Sequence, residues 1–146
     1  MRLVDVNVLV YAFREDAPGH GPHREWLQSL VASPEAFGVS DQILSEFLRI
    51  VTHPRVFHPP TPVPAAIAFV EAFRGQPNAV PVAPGARHWT IFTELCREVE
   101  ARGNLVPDAW IAAMAIERGC ELVTTDRDFA RFPGLRWRHP LSGGVG

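Results

Sequence analysis

The stretch Leu3-Val4-Asp5-Val6 is an apolar strand signal interrupted by a carboxylate. An ionised Asp beside a core costs free energy unless it is paired or metal-bound. Three further acids have comparable settings. Asp126 follows the apolar run Leu122-Val123-Thr124-Thr125. Asp108 opens the apolar helical stretch Asp108-Ala109-Trp110-Ile111-Ala112-Ala113-Met114-Ala115. Glu46 shares a stripe with Ile43, Phe47 and Ile50, because residues three and four apart share a helix face. The chain offers no obvious cationic partner for all four. A shared divalent metal accounts for them together and points to hydrolytic chemistry.

Outward from that first strand, short apolar runs alternate with helical periodicities. Strands are predicted over residues 2–6, 36–39, 79–82, 121–124 and 135–138, the last as an edge. Helices are predicted over 23–33, 41–53, 63–73, 86–101 and 107–118, with a short one over 126–131. Ser40 or Asp41 caps one helix start, and His53-Pro54 ends that helix. Gly103 and Gly119 stop two others. Residues 16–22 and the Pro-dense 57–64 read as loops. Alternating strands and helices imply an α/β fold, a short parallel sheet flanked by helices. No linker or repeat divides the chain, so residues 1–141 read as one domain and 142–146 as a flexible tail.

At 146 residues, with 47% hydrophobic and 21% charged, the chain is long and apolar enough for one core. No apolar run approaches the roughly 18 residues of a membrane span. The N-terminus enters a strand directly with no secretory signal, so a cytoplasmic protein is expected. Cys96 and Cys120 form no CxxC and read as reduced thiols. The net charge of -2 excludes a globally basic nucleic-acid binder. All 14 cationic residues are Arg. Without Lys there is no phosphate-gripping P-loop lysine and no catalytic lysine.

In an open parallel sheet, sites form outside the carboxyl ends of the strands. Asp5 and Asp126 are expected there, with Asp108 and Glu46 on helices that run nearby. Each acid also has a structural reading. Asp5 fits an Asx turn with Asn7, Asp108 a helix-start anion and Asp126 an N-cap. Asp128 fits a first-turn dipole residue. Jointly, clustered carboxylates repel in a partly dry cleft. Mg²⁺ or Mn²⁺ would cancel that repulsion, since oxygen-only ligands suit hard cations. Such an ion activates water and stabilises charge on a phosphate. The expected reaction is phosphodiester hydrolysis.

At these residues the chain resembles the PIN-domain ribonucleases, specifically the VapC-type toxins of bacterial toxin–antitoxin pairs. Val4-Asp5-Val6-Asn7-Val8-Leu9-Val10-Tyr11-Ala12 resembles the first acidic motif and Ser45-Glu46-Phe47-Leu48-Arg49 the second. Pro107-Asp108-Ala109-Trp110-Ile111-Ala112-Ala113 resembles the third. Val123-Thr124-Thr125-Asp126-Arg127-Asp128-Phe129, with Phe132-Pro133-Gly134-Leu135 beyond it, resembles the last. The resemblance implies a Rossmann-like α/β/α sandwich and a Mg²⁺- or Mn²⁺-dependent ribonuclease. It implies Asp5, Asp108 and Asp126 as metal ligands, with Glu46 as the remaining catalytic acid. Asn7 and Thr124 match polar positions that orient those carboxylates, and the fourth acid stays open between Asp126 and Asp128. A cognate antitoxin is implied too, folding across the Glu46 helix and the helix over 63–73, as is a homodimer.

Arg14, Arg49 and Arg127, with Arg55 and Arg131, are candidate contacts to RNA phosphates. The six histidines show no zinc-ligand spacing, although His20 or His23 could stand at the cleft mouth. Trp26, Trp89, Trp110 and Trp137 read as core residues. Competing functions are a PIN-like nuclease in RNA processing or DNA cleavage, a phosphatase or receiver domain, and a non-catalytic binding module. The phosphatase and receiver classes need a Lys that this chain lacks, and four intact acids argue against the binding module.

Overall fold

The computed structural model describes residues 1–142, so all but Ser142 of the expected tail at 142–146 lies outside the described residues. Ser142 is tied back to His139 by its amide and hydroxyl, which both donate to the His139 carbonyl at 3.3 and 2.8 Å.

Five parallel strands form one sheet among the described residues, in the order β3-β2-β1-β4-β5. The strands are β1 (Arg2–Val4), β2 (Phe37–Val39), β3 (Ala79–Pro81), β4 (Glu121–Val123) and β5 (Trp137–Arg138). Six α-helices connect them: α1 (Val6–Phe13), α2 (His20–Ala32), α3 (Asp41–Val51), α4 (Val63–Arg74), α5 (His88–Val99) and α6 (Leu105–Arg118). A 3₁₀ helix spans Arg127–Arg131. In β1, Leu3 and Val4 are buried between β2 and β4, with Val4 paired to Val123. Strands covered on both faces read as continuous apolar runs. β5 lies at an edge, as expected.

The first strand is shorter than its sequence suggests. Val6 belongs to α1, a helix the periodicity does not announce. Its residues Val-Asn-Val-Leu-Val-Tyr-Ala-Phe are nearly all apolar, and Val8, Leu9, Val10 and Ala12 are buried. A helix buried on most sides shows no amphipathic stripe, and three valines mimic a strand. α2 starts three residues before the predicted boundary, at His20, with Gly19 in the left-handed region (φ 68°) before it.

α6 approaches the sheet closely because Ala109, Ala112, Ala113 and Ala115 are fully buried small residues on its inner side. In β2, a Cβ on Gly38 would come within 2.8 Å of a Val82 methyl, so glycine permits that strand's close packing. Both cysteines are free, Cys120 buried and Cys96 partly so. The tryptophans depart from expectation. Trp89 is 64% exposed, and Trp26, Trp110 and Trp137 are only partly buried. Among the described residues, no helix is long and apolar enough to cross a membrane.

Candidate active site

Asp5 stands between β1 and α1, at the carboxyl end of a central strand. Its backbone amide continues the ladder by donating to the Val123 carbonyl (2.9 Å). Its side chain is the α1 N-cap: Oδ1 accepts from the Val6 amide (2.8 Å). Oδ2 accepts from the Thr124 hydroxyl (2.8 Å) and from Asn7 Nδ2 (3.3 Å). The structural reading of Asp5 is therefore present, and it orients rather than neutralises the carboxylate. Only 5% of Asp5 is exposed. Burial pushes its pKa up and Asp126 adds to that, while the bonds from Thr124, Val6 and Asn7 pull it down.

Thr124 and Asn7 form the bridge between two strand ends. The Asn7 amide nitrogen also reaches Thr124 Oγ1 (3.1 Å), and its carbonyl accepts from the Thr125 amide (3.1 Å). The Thr124 hydroxyl also receives the Asp126 amide (3.1 Å). The turn after β4 is thereby fastened to the start of α1, more than 100 residues earlier in the chain. Nothing in the local sequence signals that pairing.

Asp126 caps the 3₁₀ helix, its Oδ1 accepting from the Asp128 amide (2.9 Å). Asp108 sits in the first turn of α6 rather than at its opening residue. Its pKa is pushed up to about 6, by burial first and then by repulsion from Asp126, Asp5 and Asp128 in that order. A helix N-terminus favours an anion by about 0.3–1 kcal/mol, and here burial and repulsion outweigh it. The acids that sense one another are thus Asp5, Asp108, Asp126 and Asp128.

Glu46 is not among them. Its carboxylate is bound by the Arg49 guanidinium through two hydrogen bonds within α3, and that contact holds its pKa below the ordinary value. The sequence reading finds no cation for Glu46. The i,i+3 spacing supplies one, on a half-exposed part of the helix where Ile50 is only partly buried. Arg14 is also engaged. It binds Asp16 through two nitrogens (2.9 and 2.7 Å), Thr61 Oγ1 (3.0 Å) and the Pro59 carbonyl (3.1 Å), with Phe57 beneath its guanidinium. Arg55 and Arg127 are exposed and enter no ion pair among the described residues. His20 and His23 use their Nδ1 atoms on the backbone carbonyls of Tyr11 and Gly19.

Among the described residues, no three His, Cys, Asp or Glu side chains stand in a closed metal-binding array. Asp108 nonetheless feels repulsion from Asp126, Asp5 and Asp128, and no cation among the described residues offsets it. These two observations are compatible for a hard cation that keeps much of its water and takes only one or two direct carboxylates. The donor chemistry, oxygen only and excess negative charge, fits Mg²⁺ or Mn²⁺.

The PIN domain profile matches residues 2–135. The chain is 44% identical over 140 residues to Ribonuclease VapC25 of Mycobacterium tuberculosis, covering 96% of this chain and 99% of that protein. In fold it is similar to VapBC2 from Rickettsia felis, solved bound to a DNA fragment from its promoter. That match has a TM-score of 0.67 at 21% identity and covers 94% of this chain and 96% of the other. It is also similar to a toxin-antitoxin complex from Klebsiella pneumoniae, with a TM-score of 0.59 at 23% identity, covering 96% and 98%.

Proposed function

The chain belongs to the PIN-domain family and to its VapC ribonucleases, and from that premise we propose that it is a Mg²⁺- or Mn²⁺-dependent endoribonuclease toxin that cleaves cellular RNA and is neutralised by an antitoxin. The observation that carries this reading is the raised pKa of Asp108 among Asp126, Asp5 and Asp128. Strongly perturbed carboxylates cluster at functional sites.

Asp5, Asp108 and Asp126 would hold the metal, with Asp128 beside them. The metal, when bound, supplies an activated water and stabilises charge on the phosphate. Thr124 and Asn7 donate to Asp5 Oδ2 and keep its carboxylate aimed at the site. Asp126 is held by its own cap and by the Thr124 hydroxyl at its amide. Glu46 would join the site only by giving up its contact with Arg49. Arg127 is the exposed cation nearest in sequence to the acids and contacts RNA phosphate, whereas Arg14 is excluded from that role by its partners.

The antitoxin is expected across α3 and α4; the apolar groove, of about 390 Å³, lies instead between α2 and α4, lined by Leu27, Val31, Phe69 and Phe73 among others, and supports the α4 half of that expectation. α4 also exposes Val63 and Ile67. An amphipathic segment that folds on binding suits such a groove. A second copy of the toxin completes a homodimer.

The test is cleavage of RNA and of DNA of the same sequence by purified protein with Mn²⁺, Mg²⁺ or EDTA. RNA cut only with metal, and lost by about 100-fold or more in Asp5→Asn and Asp108→Asn, is the expected result. Undiminished metal-dependent cleavage by folded Asp108→Asn would overturn the site, and cleavage of DNA alone would overturn the substrate.

A further inference from the structure

The acid cluster needs cations nearby before a polyanionic strand can approach it. Two of the arginines that the sequence offers for this, Arg14 and Arg49, are engaged by Asp16 and Glu46. A cleft of about 250 Å³ opens between the α5–α6 connection and the 3₁₀ helix. Val99, Glu100, Arg102, Leu105 and Arg131 line it. Both arginines are exposed. Neither enters an ion pair among the described residues.

The position of the cleft follows from the elements that wall it. Leu105 precedes Asp108 by three residues in α6, which is about 4.5 Å along a helix axis. Arg131 follows Asp128 by three residues in the 3₁₀ helix, about 6 Å along that axis. Two residues of its lining, Leu105 and Arg131, therefore lie roughly one turn along their own helices from Asp108 and Asp128.

We propose that Arg102 and Arg131 form a phosphate subsite that holds the RNA backbone beside the scissile bond. This rests on the ribonuclease reading above. Two guanidiniums face one carboxylate, Glu100, so the cleft carries net positive charge inside a protein of net charge -2. Guanidinium groups match phosphate with paired hydrogen bonds. Val99 and Leu105 complete the lining of a cleft that is open to solvent. Glu100, in the left-handed conformation at φ 50°, closes α5 and turns the chain toward Arg102. Contacts of this kind set the position of the strand and carry no base preference. Arg102 has no sequence signal for this role, because its closeness to Arg131 exists only in the folded chain.

Binding of a short single-stranded RNA, measured by fluorescence anisotropy in the Asp108→Asn background across a salt series, tests the subsite. Adding Arg102→Gln with Arg131→Gln should weaken binding about ten-fold. The slope of log affinity against log salt should fall by about 0.7, the loss of one phosphate contact on a single strand. Glu100→Gln should tighten binding. Arg87→Gln, just before α5 and beside Glu117 near the far end of α6, should change neither affinity nor slope. An unchanged slope in the double variant, or an equal loss from Arg87→Gln, overturns the subsite. If wild type cleaves RNA while the double variant binds like its parent, the subsite falls and the ribonuclease reading stands. If wild type cleaves no RNA but the double variant loses binding, the subsite stands and that reading falls.

Discussion

Asp108 shows how one side chain can be costly to the fold and useful to the site. Its folded-state pKa of about 6 lies above the ordinary 3.8, so the folded protein holds this proton more tightly than the unfolded chain does. The resulting stability is fully present below about 3.8 and is lost as pH rises through about 6. Metal-free protein should therefore gain stability from this group as pH falls from 7 toward 4. Asp5, raised by burial, pulls the same way. Asp108→Asn should raise the melting temperature of metal-free protein at pH 7 and flatten its rise between pH 7 and 5. Mn²⁺ should raise the melting temperature of wild type at pH 7, because it binds the native state, and should do so less in the variant. Melts in EDTA and in Mn²⁺ at several pH values check this, and a destabilised metal-free Asp108→Asn would contradict it. The carboxylates of Asp5, Asp108 and Asp126 stand out in the sequence because each interrupts or adjoins an apolar run. Glu46 shows where the same reasoning misleads: its apolar neighbours at three and four residues are visible, but so is Arg49 at i+3, and the ion pair forms.

Among the elements, the connection from α3 to α4 depends on a contact from α1. Residues 57–62 hold three prolines and no regular structure. Arg14, the C-cap of α1, reaches this loop through Thr61, Pro59 and the Phe57 ring. Its side chain is 13% exposed, and the bond to Thr61 is partly buried. Arg14→Ala should destabilise the protein by on the order of 2 kcal/mol through the lost contacts to Thr61, Pro59 and Phe57. Arg14→Lys should not restore that loss, since a point charge does not reproduce the planar fork. Urea unfolding of the three proteins provides the measurement, with full stability in Arg14→Lys as the contrary result. Helices with a polar face are legible in the sequence: α3 begins where Ser40 caps it, its hydroxyl accepting from the Ile43 amide. α1 is not legible, because burial on most sides erases the periodicity by which a helix is recognised.

Across the whole molecule, one buried aromatic ties three helices together. Phe47 of α3 is fully buried, meeting Phe13 of α1 edge-on at 5.5 Å and Phe69 of α4 in a stack at 5.1 Å. Phe47→Ala should cost about 3–5 kcal/mol and lower the melting temperature by about 10 °C. Calorimetry checks this, and a shift of only one or two degrees would mean that the three helices close over the cavity. By itself the sequence determined the α/β class, the order of most elements and the candidate acids, because hydrophobic period, caps and stop residues act over short stretches. Only the tertiary structure decided which groups meet. It joined Asn7 to Thr124, carried Arg14 onto Thr61 and Pro59, brought Asp128 into electrostatic contact with Asp108, and set Arg102 beside Arg131. The Asn7–Thr124 pairing depends on the strand order β3-β2-β1-β4-β5, which brings the first and fourth strands side by side. A pairing between groups 100 residues apart leaves no periodic mark on either segment, since its energy exists only once both are held in place.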